Sequence, residues 1–172
     1  DGCQTLNAVR SAESRVRASN ESLRNSEQDI LFNAAAAYVD VLRDRQIAIF
    51  RERNLAFLGE QVRAANSRLE VGEGTRTDVA QARAQQAAAV AQLSAARAQL
   101  QSSEATYYQL VGDRPGKLDV ARAASHLVPA SLEQAQAIAL SEHPAVRASE
   151  HLVDAAAFQV KQAEGSLLPQ LS

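Results

Sequence analysis

Apolar and small residues recur every seven positions through the first part of the chain. Val9, Val16, Leu23, Ile30 and Ala37 form one series, and Val41, Ala48, Leu55, Val62 and Leu69 form a second, displaced by four. An offset of four reads as a stutter, which locally unwinds a left-handed coiled coil. Thr5 to Glu70 contains no Pro, and Gly59 is its one Gly. The pattern predicts one continuous helix there, about 99 Å long at about 1.5 Å per residue. A single stripe of that length must lie along a partner, because it cannot bury itself. Leu31, Phe32, Phe50 and Phe57 lie off the stripe and are expected to leave further apolar surface.

Val71-Gly72-Glu73-Gly74-Thr75 breaks the helical pattern and turns the chain. Either Thr75 or Thr77 suits the next N-cap, with Asp78 in the first turn. The second helix is predicted to run to about Val111. Val79, Gln86, Leu93, Leu100 and Tyr107 form one seven-residue series, and Ala82, Ala89, Ala96 and Ser103 form its companion. Small residues along one seam position let two helices approach closely. A tight turn makes them antiparallel neighbours.

Gly112-Asp113-Arg114-Pro115-Gly116 ends that helix. Lys117 to Pro129 has no helical period and leaves room for one short strand near Lys117 to Val120. Ser131, with Glu133 and Gln134, opens a short helix to about Glu142. Pro144 suits the first turn of a last helix, which carries Val146, Val153 and Val160 and stops at Gly165. The predicted fold class is therefore all-α, about 75–85% helix by these lengths. Its organisation is a long antiparallel, coiled-coil-like hairpin over residues 1–111 with its tip at 70–78. A short mixed insertion over 112–143 and a returning helix over 144–172 follow.

Composition agrees. The 172 residues include 35 Ala and 16 Arg against 2 Lys, with no Trp or Met and 4% aromatics, which favours helix over sheet. Net charge is −2 and no basic block stands out, so nucleic acid is not an expected partner. The longest apolar run, Ala34 to Val39, is far short of the roughly 20 residues a membrane-spanning helix needs. Asp1-Gly2-Cys3 shows no signal peptide, and the single Cys3 allows no disulfide within the chain.

No catalytic set is visible. His126, His143 and His151 lack a Glu three residues before them, and no His-Glu-x-x-His, phosphate-cradling Gly loop or Gly-x-Ser-x-Gly occurs. No enzyme activity, metal or cofactor is expected. Phe50 with Phe57, and Tyr107 with Tyr108, read as packing.

The turn carries more detail than a hairpin requires. Arg68, Val71-Gly72, Thr77-Asp78-Val79 and Gln81-Ala82-x-Ala84 resemble the periplasmic tip of TolC-type outer-membrane efflux channels. Asn33-Ala34-Ala35-Ala36-Ala37-Tyr38-Val39-Asp40-Val41-Leu42 resembles that family's mid-helix segment. Tyr107-x-x-Leu110-Val111-Gly112 with Pro115-Gly116-x-Leu118 resembles the end of its returning helix. Pro129-x-Ser131-Leu132-Glu133-x-Ala135 and His143-Pro144-Ala145-Val146-Arg147-Ala148 resemble the opening of an internal repeat. Leu168-Pro169-x-Leu171 resembles the lead into a membrane strand.

The resemblance implies a trimeric tube in the outer membrane of a Gram-negative bacterium, with a β-barrel continued by an α-barrel across the periplasm. This chain would be one α-barrel hairpin, the equatorial segment at 112–143 and the start of a second repeat, excised from between membrane strands. Implied partners are two further copies in the full-length parent, a periplasmic adaptor and an inner-membrane transporter. The resemblance assigns gating to Asp78, Arg76 and Thr77. It assigns adaptor docking to Arg68, Val71, Gly72, Glu73 and Gly74, with Glu73 departing from an apolar residue seen in some members. Two other readings share the long hairpin: a periplasmic adaptor hairpin, which is usually flanked by β-rich halves, and a coiled-coil scaffold without a transport role.

Overall fold

The computed structural model describes residues 3–167. Its helices are α1 (Gln4–Glu70), α2 (Arg76–Val111), α3 (Leu132–Glu142) and α4 (Pro144–Gly165), with a single 3-10 turn at Ser125–Leu127. No strand occurs among the described residues, so the short strand anticipated near Lys117 to Val120 does not form. A lone strand has no ladder to join, and its backbone groups need other partners. Here α1 supplies some of them. Arg45 donates from Nη2 to the Pro115 carbonyl (2.7 Å) and from Nη1 to the Gly116 carbonyl (2.6 Å), and Tyr38 donates to the Asp119 carbonyl (2.5 Å). The expected lead into a membrane strand, Leu168-Pro169-x-Leu171, lies outside the described residues.

The chain forms two compact units. The hairpin unit, Phe32–Ala121, contains the C-terminal part of α1, the turn, α2 and the loop after it. Its seam is an antiparallel heptad zipper. Ala37, Val41, Asp44 and Ala65 are buried on α1, and Val79, Ala89, Leu93, Ala96 and Ser103 are buried on α2. Ala48, Arg51, Leu55, Leu58, Val62 and Leu69 are half-buried beside them, as are Ala82, Gln86, Leu100 and Tyr107. Both predicted α2 series therefore face the seam.

The structure corrects the stutter. Extending the first α1 series by sevens past Ala37 reaches Asp44, Arg51, Leu58 and Ala65, all at least half-buried. From Ala37 onward the two series are the alternating seam positions of one heptad frame, and a spacing of four is normal between them. Polar Asp44 and Arg51 disguised that continuity in the sequence. Cross-seam pairs keep one register: Arg45 to Glu104 (2.8 Å), Arg97 to Glu52 (2.9 Å) and Arg51 to Gln92 (2.8 Å).

The second unit combines the residues up to Leu31 with those from Arg122 onward. Here α1 packs on α4 through a different kind of surface. Asn7, Ser11, Ser14, Ala18 and Glu21 are buried on α1, and Pro144, Ala148, Ala155 and Gly165 on α4. Ser11 Oγ donates to the Ala155 carbonyl at 3.0 Å, a contact that demands close helix approach. Glu21 accepts from Arg24 at 3.2 Å and lies 3.7 Å from Arg147. Phe158 lies between Arg10 and Lys161, whose charged groups are 5.9 and 5.5 Å from its ring centre.

This unit leaves the first part of the predicted stripe uncovered. Val9, Val16, Leu23 and Ile30 are 50–64% exposed, so among the described residues their stripe does not lie along a partner helix. The small residues of α4 select small residues of α1, and those occupy other helical positions. Val153 and Val160 of α4 are exposed too, as are Leu31, Phe32, Phe50 and Phe57.

Local signals set the remaining ends. Ser131 Oγ caps α3 by accepting from Gln134 N–H (3.2 Å), and Pro144 opens α4 at its first turn. His143 Nδ1 accepts from Ala145 N–H (3.2 Å), which gives that histidine a capping role.

Candidate functional site

The turn joining α1 to α2 is held mainly by backbone. Val71 N–H donates to the Ser67 carbonyl (3.3 Å) and Gly72 N–H to that of Leu69 (3.1 Å). Glu73 and Gly74 N–H both reach the Arg68 carbonyl, at 2.9 and 3.0 Å. These bonds satisfy carbonyls that the end of α1 would otherwise leave unpaired. Gly72 has φ +81°, in the left-handed region where a side chain is strained. Gly74 is favoured for another reason: a Cβ there would lie 3.1 Å from both Arg68 Cβ and Leu69 N, so those neighbours would have to give by a few tenths of an ångström.

The far side of the turn is a capping box. Thr75 has extended backbone (φ −113°, ψ 158°) and is the N-cap of α2, which decides between the two threonines. Its Oγ1 accepts from Asp78 N–H (3.2 Å) and donates to Asp78 Oδ2 (2.7 Å), and Thr75 N–H donates to the same oxygen (2.9 Å). The threonine hydroxyl, then its backbone N–H, and more weakly the Arg68 charge, hold the Asp78 carboxyl below the usual carboxylate range. Both bonds use Oδ2. Among the described residues Asp78 Oδ1 accepts no hydrogen bond, and the side chain is exposed.

The remaining tip residues point outward. Val71 is 71% exposed, and Arg68, Glu73, Arg76 and Thr77 are exposed. The fold thus joins Arg68 to Glu73 and Gly74 through one carbonyl, and Thr75 to Asp78 through the box. It places Arg76 and Thr77 on the first turn of α2, where their side chains enter no hydrogen bond among the described residues. Thr75 as the partner of Asp78 was readable, since a threonine three residues before an acid is a capping-box pattern.

Sequence reasoning missed Asp44, Arg45 and Tyr38. The signal for Asp44 was its place seven residues after Ala37, on the seam. Arg45 and Tyr38 act on loop carbonyls, which no side-chain pattern reveals. The described residues hold no group of three His, Cys, Asp or Glu side chains able to take a metal ion, and no helix long and apolar enough to cross a membrane.

Comparison with known proteins agrees with this architecture. The family model for outer membrane efflux proteins matches residues 1–113, which include α1, the turn and α2. The chain is 56% identical to the outer membrane efflux protein BepC of Brucella suis biovar 1 over 171 residues, 99% of this chain and 37% of that protein. It is 28% identical to the alkaline protease secretion protein AprF of Pseudomonas aeruginosa over 159 residues, 89% of this chain and 33% of that protein. It spans about a third of the length of these curated relatives. Since the match takes in both arms of the hairpin and its tip, the chain belongs to the outer membrane efflux protein family.

Proposed function

We propose that this chain is a periplasmic tunnel segment of a trimeric outer-membrane channel. The channel exports small molecules or proteins together with a periplasmic adaptor and an inner-membrane pump, which supplies the energy. In this reading residues 1–111 are the α-barrel hairpin, 112–143 its equatorial segment, and 144–172 a helix leading toward a membrane strand. Family membership supports it over an adaptor hairpin or a free-standing scaffold. One relative is named for efflux and the other for protease secretion, which leaves both cargo classes within the proposal.

The observation that carries a role for the tip is its division of labour. Backbone bonds and the capping box build the turn, while Arg68, Val71, Glu73, Arg76 and Thr77 present outward side chains. Arg68, Val71, Gly72, Glu73 and Gly74 form the docking surface for the adaptor. Asp78, with Arg76 and Thr77, forms the gate: Oδ2 serves the cap, and Oδ1 accepts from a neighbouring protomer. Exposed ion pairs contribute only about 0–1 kcal/mol each, so such a gate opens without large cost.

The test uses the full-length channel in planar bilayers. Asp78→Ala raises single-channel conductance, whereas Thr75→Ala loosens the cap but keeps the charge and leaves conductance closer to wild type. Equal effects of both variants would make Asp78 a cap and remove it from the gate. Gly72→Val lowers crosslinking between the tip and the adaptor; unchanged crosslinking would remove the turn from the docking surface.

A further inference from the structure

We propose that a buried polar layer, Asp44 with Ser103, selects the pairing register of α1 and α2. Asp44 is 2% exposed and Ser103 7%, and they face each other across a seam whose other fully buried residues are all apolar. Asp44 Oδ2 accepts from Ser103 Oγ and from Gln99 Nε2 (3.4 Å) on α2. Asp44 Oδ1 accepts from Arg43 Nε on α1 (2.8 Å), and Arg43 also binds Asp40 (2.7 Å). The carboxylate is therefore satisfied from both helices, and its Ser103 donor is in place only in this alignment.

The apolar positions of the seam discriminate weakly, and the solvent-accessible pairs Arg45–Glu104 and Arg97–Glu52 add little, since ion pairs at a surface are weak. Val41, Ala48, Leu55 and Val62 repeat on one side, and Ala82, Ala89 and Ala96 on the other. A slip of seven residues sets similar residues against each other again. The same slip brings Ala96 or Leu110 to Asp44 in place of Ser103, which leaves a buried carboxylate short of a donor. The turn aligns the helices near Gly72, but Asp44 lies about 40 Å along α1 from Glu70 at about 1.5 Å per residue. At that distance local slip, or pairing of α2 with α1 of a second copy, competes with the native alignment. A single buried polar group at a seam position is an effective device against such alternatives. The inference rests on no reading of the tip or of transport.

The test uses the chain with Cys3→Ser, Gln61→Cys and Gln101→Cys, spin-labelled at the two exposed glutamine positions and measured by pulsed electron resonance. The parent and Asp44→Asn, which keeps an acceptor, give one inter-label distance. Asp44→Leu and Ser103→Ala each add a second distance displaced by about 10 Å, one heptad of helix rise, in at least about a tenth of the molecules. Asp44→Leu does so with a thermal midpoint equal to the parent's or higher, since an apolar replacement of a buried ion is often neutral or stabilising. A single native distance in both variants would overturn the proposal and leave the layer with a stabilising role only.

Discussion

The two long contacts of α1 are made by opposite means. Against α2 it presents a zipper of Val41, Ala48, Leu55, Val62 and Leu69, interrupted by Asp44. Against α4 it presents Asn7, Ser11, Ser14, Ala18 and Glu21, while Val9, Val16, Leu23 and Ile30 face away. The same helix thus buries its heptad stripe in one unit and exposes it in the other. Apolar periodicity marks a surface that some neighbour covers; it does not say which neighbour, or whether that neighbour is in the same chain. In the proposed trimer the exposed stripe is available to adjacent protomers.

The largest difference is expected between a leucine of the hairpin seam and one of the exposed stripe. Leu93 is 6% exposed on the hairpin seam, so Leu93→Ala should cost about 2–4 kcal/mol in urea unfolding. Leu23, at 59% exposed, should change stability by less than about 0.5 kcal/mol on the same substitution. Similar losses at the two positions would mean that the exposed stripe is buried after all.

The close contact of the second unit is tested by adding volume. Ala155 is 3% exposed and its carbonyl accepts from Ser11, so Ala155→Leu should cost about 1–3 kcal/mol through overpacking. A stabilised Ala155→Leu would show that the interface has room for a larger side chain. At the tip, Gly72→Ala should lose about 1–2 kcal/mol, because a Cβ disfavours the left-handed backbone even where space is open. Circular dichroism melts of the two forms give the difference.

The smallest effect is the pH dependence of the hairpin seam. Hydrogen bonding from Arg43, followed by that from Ser103 and Gln99, holds the Asp44 carboxyl below its usual range, against the opposing effect of burial. A carboxyl lowered in the folded state stabilises it fully above the ordinary carboxylate value. That contribution disappears as pH falls through the lowered value. Thermal midpoints should therefore fall on acidification below the ordinary carboxylate range, and fall less steeply in Asp44→Asn. Asp78 and Glu133 are lowered too, so the difference between the two slopes is the quantity that reports Asp44. Parallel slopes would mean that Asp44 keeps a similar pKa after unfolding.

Much of the helical framework was legible because its signals are local. A stretch free of Pro and rich in Ala made α1; Gly72 and Gly74 ended it; Thr75, Ser131 and Pro144 started the helices that follow. Each of these acts within one or two turns, where backbone sterics and hydrogen bonding decide the outcome without help from the fold. The turn itself was legible for the same reason, whereas the choice of Thr75 over Thr77 as its cap came from the backbone geometry.

The tertiary structure decided which face meets which neighbour. Ser11 opposite Ala155, Asp44 opposite Ser103, and Arg45 on the Pro115 and Gly116 carbonyls join residues far apart in the chain. A heptad series cannot choose among such partners, because Ala, Ser and Val all satisfy a helix equally well from within. What separates them is the distance at which the other helix stands. Against α4 the buried α1 positions include Ser11, Ser14 and Ala18, whereas against α2 they include Val41 beside Leu55 and Val62. The offset of four at Ala37 shows the same limit. It reads as a change of phase along the chain, yet across the seam it is one frame carrying a charge.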